Sequence, residues 1–588
     1  MQQHTLGLTT AGSGAAAGAS PLGFTPEECV DIISHLIPLI LLSIVSVRSF
    51  SGRWQTIRSK LEHLKACVSS VAESAHYAEN GLLRELLPRV LSTLEQAREL
   101  VQQCSDMTFS GKLLMQSNLD MLISSLGLHL RDLDVLLKSG VLDQSNAIVL
   151  SWPGPASSRD DVGLFVRDVF ARLQIGSVDH KKKALCSLIK LLEEDQKNAA
   201  AIAAEGDFGF LVHLLDSNHP PVREQAAVAV AALATTEVCR QSLFTEGVLG
   251  PLIRLLDSGT LLAKESAASA IELLTADADN AWAVSAYGGA TALLNACHSG
   301  SPAIQARCAA ALRNVAMVSE MRKSLVEEGV VPELLALLSR GTGSAQEHAA
   351  ECLNVLALSE EAVRREIVSE GGVQTMLRLL DEPASVKAQE AVVKAMFSLS
   401  CSPSSATALR SSPAFLRKLA EILKSGQSPA TLTLAASAVC NLSLCEDSKR
   451  ALGEAGCIAS LVKLLESKPS SAQEVAAQAL SSLLVVPANR KEFVRDDKTL
   501  ARLIQLLDPS NDSVPKKYPL SALLVLSSSR SCRKKIATAG ACPYLQKLAD
   551  MDVAGAKKIL RRLSGSRGNW KMFELQRKRE KSVVIMCL

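Results

Sequence analysis

The sequence predicts an all-α protein, a solenoid of helical repeats preceded by an N-terminal helical bundle. Three observations carry that reading. Glycines recur at a nearly fixed step: Gly206, Gly247, Gly288 and Gly329 are evenly spaced, Gly371 follows one position late, and Gly456 and Gly540 each fall about two steps further on. A leucine-rich run follows the glycine, as in GVLGPLIRLLDS, GVVPELLALLSR, GGVQTMLRLLDE and GCIASLVKLLES. Apolar residues make up 47% of the 588-residue chain but aromatics only 3%. That composition, dominated by Ala, Leu and Val, suits close-packed helices better than a β-sandwich.

Residues 1–22 are rich in Gly, Ala, Ser and Thr, and predict disorder. They hold no basic stretch before an apolar core, so they do not read as a signal peptide. Gln2 excludes N-myristoylation. Residues 23–140 change pattern to four long amphipathic stretches, which read as a four-helix bundle. These are TPEECVDIISHLIPLILLSIVSV, RWQTIRSKLEHLKACVSSVAESAH, GLLRELLPRVLSTLEQARELVQQC and SNLDMLISSLGLHLRDLDVLLKS. Thr25 followed by Pro26 supplies a helix cap and a proline-compatible first turn. The apolar run from Ile32 to Val47 is short for a bilayer and carries His35, Pro38 and three serines. It reads as a buried bundle helix. Residues 141–160 read as a linker.

Residues 161–565 hold about nine or ten repeats, some of them degenerate, such as SSPAFLRKLAEIL from Ser411 and DDKTLARLIQLL from Asp496. The unit around Glu328 shows the expected plan. SEMRKSLVEE is a first helix, ended at Gly329 where a side chain would resist positive φ. VPELLALLSR is a second helix, GTGS a loop, and AQEHAAECLNVLAL a third helix whose alanines permit close approach. One unit cannot cover its own apolar face, so the leucine pairs Leu255/Leu256, Leu337/Leu338 and Leu379/Leu380 are expected to be buried by stacking. After Ser564 the repeat stops, and residues 566–588 form a basic tail around Arg577, Lys578, Arg579 and Lys581. The tail reads as a nuclear address, an acidic-lipid contact or a solvated helix end. Cys587 is second from the end, which excludes a prenylation box.

This glycine period, with GVVPELLALL and ARCAAALRNVA as second and third helices, resembles the armadillo-repeat family. The bundle, including LEQARELVQQCSDMTFSGKLLM, is similar to the N-terminal helical domain of plant U-box ubiquitin ligases that carry armadillo repeats. The interval Val141–Asp161 is too short for a U-box, so the chain resembles plant armadillo proteins with that bundle and no U-box. The resemblance implies that third helices line a groove for an extended peptide, gripped by Asn in the pattern A-L-x-N-L-A. Asn314 in ALRNVA and Asn441 in AVCNLS match that position; Ala232, Leu273, Val355, Ser398, Ser482 and Val525 occupy it elsewhere. The Trp that importin-α-like proteins place four residues earlier is absent, so reading of basic import signals is not expected. Candidate groove residues are Arg307, Asn314, Glu351, Lys394, Ser398 and Asn441; the alternative is that each is an ordinary solvated position.

A net charge of +3 gives no reason to expect a nucleic-acid partner. The fifteen cysteines form no C-x-x-C pair and no Cys/His ligand spacing, and read as reduced thiols with no metal or cofactor. No phosphate-binding loop, dinucleotide fingerprint, H-E-x-x-H or G-x-S-x-G motif occurs, so no catalytic residue is assigned. The expected function is a non-catalytic scaffold or adaptor for signalling or trafficking. Its partners would be other proteins, held by groove and bundle. Membrane contact would be peripheral at most, and the location cytoplasmic, nuclear or at the plasma-membrane surface. The alternative is a substrate-recruiting component working with a separate U-box or RING protein.

Overall fold

The computed structural model describes residues 24–564 apart from 75, 110, 140–141, 143–151, 154–157, 359, 384, 426–427, 468–469 and 511–513. Among the described residues every regular element is a helix. The expectations for residues 1–22, for most of the 141–160 linker and for the 566–588 tail lie outside them. The described residues form two compact units, divided between Pro251 and Leu252.

The first unit contains the bundle helices α1 (Pro26–Ile44), α2 (Ser51–Glu73), α3 (Gly81–Ser105) and α4 (Lys112–Ser139). Thr25 caps α1 through a reciprocal pair: its hydroxyl accepts from the Glu28 backbone N–H, and Glu28 Oε2 accepts from the Thr25 N–H at 2.7 Å. Asn80 caps α3 in the same spirit, accepting from Leu82 and Leu83 N–H at 2.9 and 3.1 Å. Helix α1 buries Cys29, Ile33, Ile37, Ile40 and Ile44, a spacing that keeps one face inward. Trp54, Ile57, Leu61, Leu64 and Val68 of α2 and Leu119, Leu122, Leu126 and Leu133 of α4 complete the core. Helix α4 starts at Lys112, earlier than the SNLDM register predicts, because its inward face runs back to buried Met115. No helix of the described residues is long and apolar enough to cross a membrane.

Within the same unit, the helix Arg159–Ile175 packs on α3 and α4. Trp152 stacks edge-on against Phe165 at 5.2 Å and donates its Nε1–H to Glu194. Gly206 breaks the pattern its spacing suggests. Its φ is −85°, not left-handed. Glycine is needed there for space, since a Cβ would lie 2.6 Å from the Ile202 carbonyl oxygen and 2.7 Å from the Phe170 ring.

The second unit repeats one three-helix plan. In the unit around Glu328 the helices are Met321–Glu327, Val330–Arg340 and Gly343–Ala357. Gly329 joins the first two with φ +86°, a conformation that side-chain-bearing residues resist. Thr342 caps the third, accepting from the Ala345 N–H. Leu337 and Leu338 are buried, as are Leu379 and Leu380. Each such burial contributes roughly 1.5–3 kcal/mol. Ala309, Ala310 and Ala311 of Pro302–Met317 and Ala349 and Ala350 of Gly343–Ala357 are fully buried, which lets successive third helices pack closely.

Candidate protein-interaction surface

The third helices of the second unit include Leu261–Leu274, Pro302–Met317, Gly343–Ala357, Val386–Ser400, Pro429–Leu442, Ser470–Leu483 and Lys517–Leu526, and each of these packs against the next. Their polar residues tie one helix to its neighbour. Asn314 Nδ2 donates to the Glu272 carbonyl at 3.1 Å and to Thr275 Oγ1 at 3.2 Å. Asn314 Oδ1 accepts from Arg313 at 2.9 Å, and Arg313 Nη1 reaches on to Glu351 Oε2 at 2.7 Å. Ser398 Oγ donates to Asn354 Oδ1 at 2.7 Å. Asn441 Nδ2 donates to Ser400 Oγ at 3.0 Å, and Ser443 and Ser482 join their hydroxyls at 3.0 Å.

These bonds place the six residues singled out by sequence. Ser398 is buried, and its hydroxyl serves helix stacking. Asn314 and Asn441 are half-buried and commit their amide donors to the preceding third helix. Arg307 is about half exposed and pairs with Glu272 at 2.7 Å. Glu351 is held down at about 2 by His348 and Arg313. Arg313 Nη1 stands 2.7 Å from Glu351 Oε2 and His348 Nδ1 stands 3.6 Å from it. Lys394 is exposed, with no ion-pair partner among the described residues.

The structure also brings forward residues that sequence reasoning passed over. Met317, Leu358, Leu444 and Val485 stand exposed at the C-terminal ends of successive third helices, with exposed Cys401 between the second and third of them. They recur once per repeat. Residues just before them, such as Leu356, Leu442 and Leu483, are fully buried. The signal was present in the sequence as one more apolar residue after the buried run, but a run of apolar letters does not say which one faces water.

Comparison with known proteins matches these features. Residues 31–141 match a domain of unknown function, DUF7032. Residues 166–431 match the plant U-box protein ARM repeat region, and residues 445–485 match the armadillo/beta-catenin-like repeat. U-box domain-containing protein 8 of Arabidopsis thaliana is 32% identical over 132 residues, 22% of this chain and 35% of that relative. The chain thus spans about a third of the length of that curated relative. A crystal structure of an engineered protein from the Northeast Structural Genomics Consortium is 27% identical, with a TM-score of 0.61, covering 68% of this chain and 98% of its own. The all-α solenoid class and the resemblance to plant armadillo proteins of the U-box type are borne out.

Proposed function

We propose, for an armadillo-repeat chain of this plant type, that the second unit is a scaffold surface holding a partner polypeptide along the ends of its third helices. The coarser role, protein interaction, is what the repeats and the relative support. The observation that carries the finer reading is the periodic exposed row Met317, Leu358, Cys401, Leu444 and Val485. Packed helices stand about 8–10 Å apart. A polyproline-II segment advances about 9 Å per three-residue turn, so one side chain per turn would meet one step of the row. Arg307 and Lys394 would add charge recognition beside it, while the Arg313–Glu351 pair holds the scaffold.

The test is capture by affinity purification from the native cell, followed by binding of the recovered partners to purified protein. Changing Met317, Leu358 and Leu444 together to Glu should weaken capture at least tenfold with unchanged helicity and melting temperature. Charge reversal at Arg307 and Lys394 should weaken it less. Unchanged binding of every partner by the triple variant would overturn the assignment.

A second reading draws on the match to the plant U-box protein ARM repeat region: the captured protein is a substrate delivered to a ligase formed with another chain. In vitro ubiquitination of a captured partner, with a separate U-box or RING protein, should then require this chain. Equal modification without it would remove that reading and leave the scaffold untouched.

A further inference from the structure

Among the described residues one group of three side chains has the donor types and spacing of a metal site. His63 and Cys67 lie one helical turn apart on one face of α2, and Asp134 projects from α4, which packs against it. Their donor atoms, an imidazole nitrogen, a thiol sulfur and a carboxylate oxygen, all lie within 4.8 Å of one another. The i,i+4 spacing of His63 and Cys67 was passed over in the sequence, and the third member of the group lies on a different helix, far along the chain from Cys67. We propose that His63, Cys67 and Asp134 bind a single Zn2+ ion that clamps α2 to α4.

Donor chemistry selects the metal. A thiolate with an imidazole suits zinc rather than magnesium or calcium, which take oxygen ligands. Zinc bonds of about 2.0–2.3 Å put tetrahedral donors roughly 3.5 Å apart. The donors already lie within 4.8 Å of one another, and the exposed His63 side chain can rotate to shorten that spacing. Cys67 is 5% exposed, with the Asp134 carboxylate close to its sulfur. A divalent ion between the two turns that unfavourable proximity into ligation, with the thiol proton passing to solvent. Asp134 now pairs with Lys138 at 3.2 Å, but that lysine is 78% exposed and its surface pair is readily exchanged. A hollow of about 540 Å³, lined by Gly52, Gln55, Ser59, Lys60 and His63 among others, opens beside the histidine. It gives an ion a route to the histidine from solvent.

The test uses the full-length chain, stripped of metal, with the exposed Cys186, Cys401 and Cys445 changed to Ser. Cobalt(II) should bind at one equivalent with a sulfur-to-metal charge-transfer band, and Zn2+ should displace it. H63A, C67S and D134N should each weaken binding at least tenfold. Zn2+ should raise the melting temperature of the parent chain and leave that of H63A unchanged. His63 is exposed, so H63A keeps the fold even if C67S does not. Absence of the band, or a band that survives both H63A and D134N, would overturn the site.

Discussion

The bundle and the repeat array solve the same burial problem with different residues. In α1–α4 the helices run from 19 to 28 residues, and the core is filled by Trp54 and by many Ile and Leu side chains. In the array the helices are shorter, 16 residues in Pro302–Met317 and 15 in Gly343–Ala357. Alanines such as Ala309, Ala310 and Ala311 occupy the third-helix contacts there. The bundle closes its core on itself. An array unit has no closed core and depends on its neighbours. Damage should therefore be distributed differently in the two regions. Trp54→Ala should cost the bundle about 3–5 kcal/mol, because a fully enclosed large side chain leaves a cavity that long helices cannot collapse. Hydrogen exchange should speed up throughout residues 26–139 and stay near wild type from residue 302 onward. Equal acceleration in both regions would break the comparison.

Polar groups inside the two regions differ in the same way, and pH separates them. In the bundle, burial and secondarily the Arg89 charge push His129 down to about 4. Its Nε2 shares a 2.9 Å hydrogen bond with Thr93. Folding favours the neutral ring, so this stability is complete above about pH 6.5 and is lost progressively as pH falls from there through about 4; fully expressed it amounts to about 3 kcal/mol. In the array, Glu351 titrates at about 2 against an ordinary 4.5. Its contribution is complete above about pH 4.5 and is lost only as pH falls from there through about 2. The pair is partly exposed, so screening reduces it to about 1–2 kcal/mol. Urea midpoints should show the bundle weakening first on acidification. H129Q should remove that early loss, and E351Q should weaken the array at neutral pH by the smaller amount. Identical acid profiles for wild type and H129Q would contradict the burial argument.

The parts legible in the sequence are those written by local chemistry. Thr25 and Pro26 announce the start of α1, and Gly329 with Leu337 and Leu338 announces a turn and a buried helix. The regular period then repeats the message. The rest depends on partners one repeat or more away. Ser398 meets Asn354 on the preceding third helix, and Arg313 meets Glu351 on the following one, so residues that resemble a peptide-gripping set are engaged in holding helices together. Gly206 sits in the glycine series but owes its identity to the Ile202 carbonyl and the Phe170 ring, which crowd the position a Cβ would take and which the period does not show. Asp134 joins His63 and Cys67 only because α4 folds back on α2.

The smallest effects give the sharpest contrast, because one substitution should change sign between regions. Gly329 has φ +86° and open space where a Cβ would stand, so Gly329→Ala meets no neighbour and costs only the left-handed backbone, about 1 kcal/mol. Gly52 lies exposed in the first turn of α2 with equally open space and no positive φ. There Ala reduces the freedom of the unfolded chain and suits the helix, a gain of roughly 0.5 kcal/mol. Differential scanning calorimetry of the two variants should move the array transition down and the bundle transition up. If Gly329→Ala left the array unchanged, the repeated glycine would not be a backbone requirement, and its regular recurrence would need another cause.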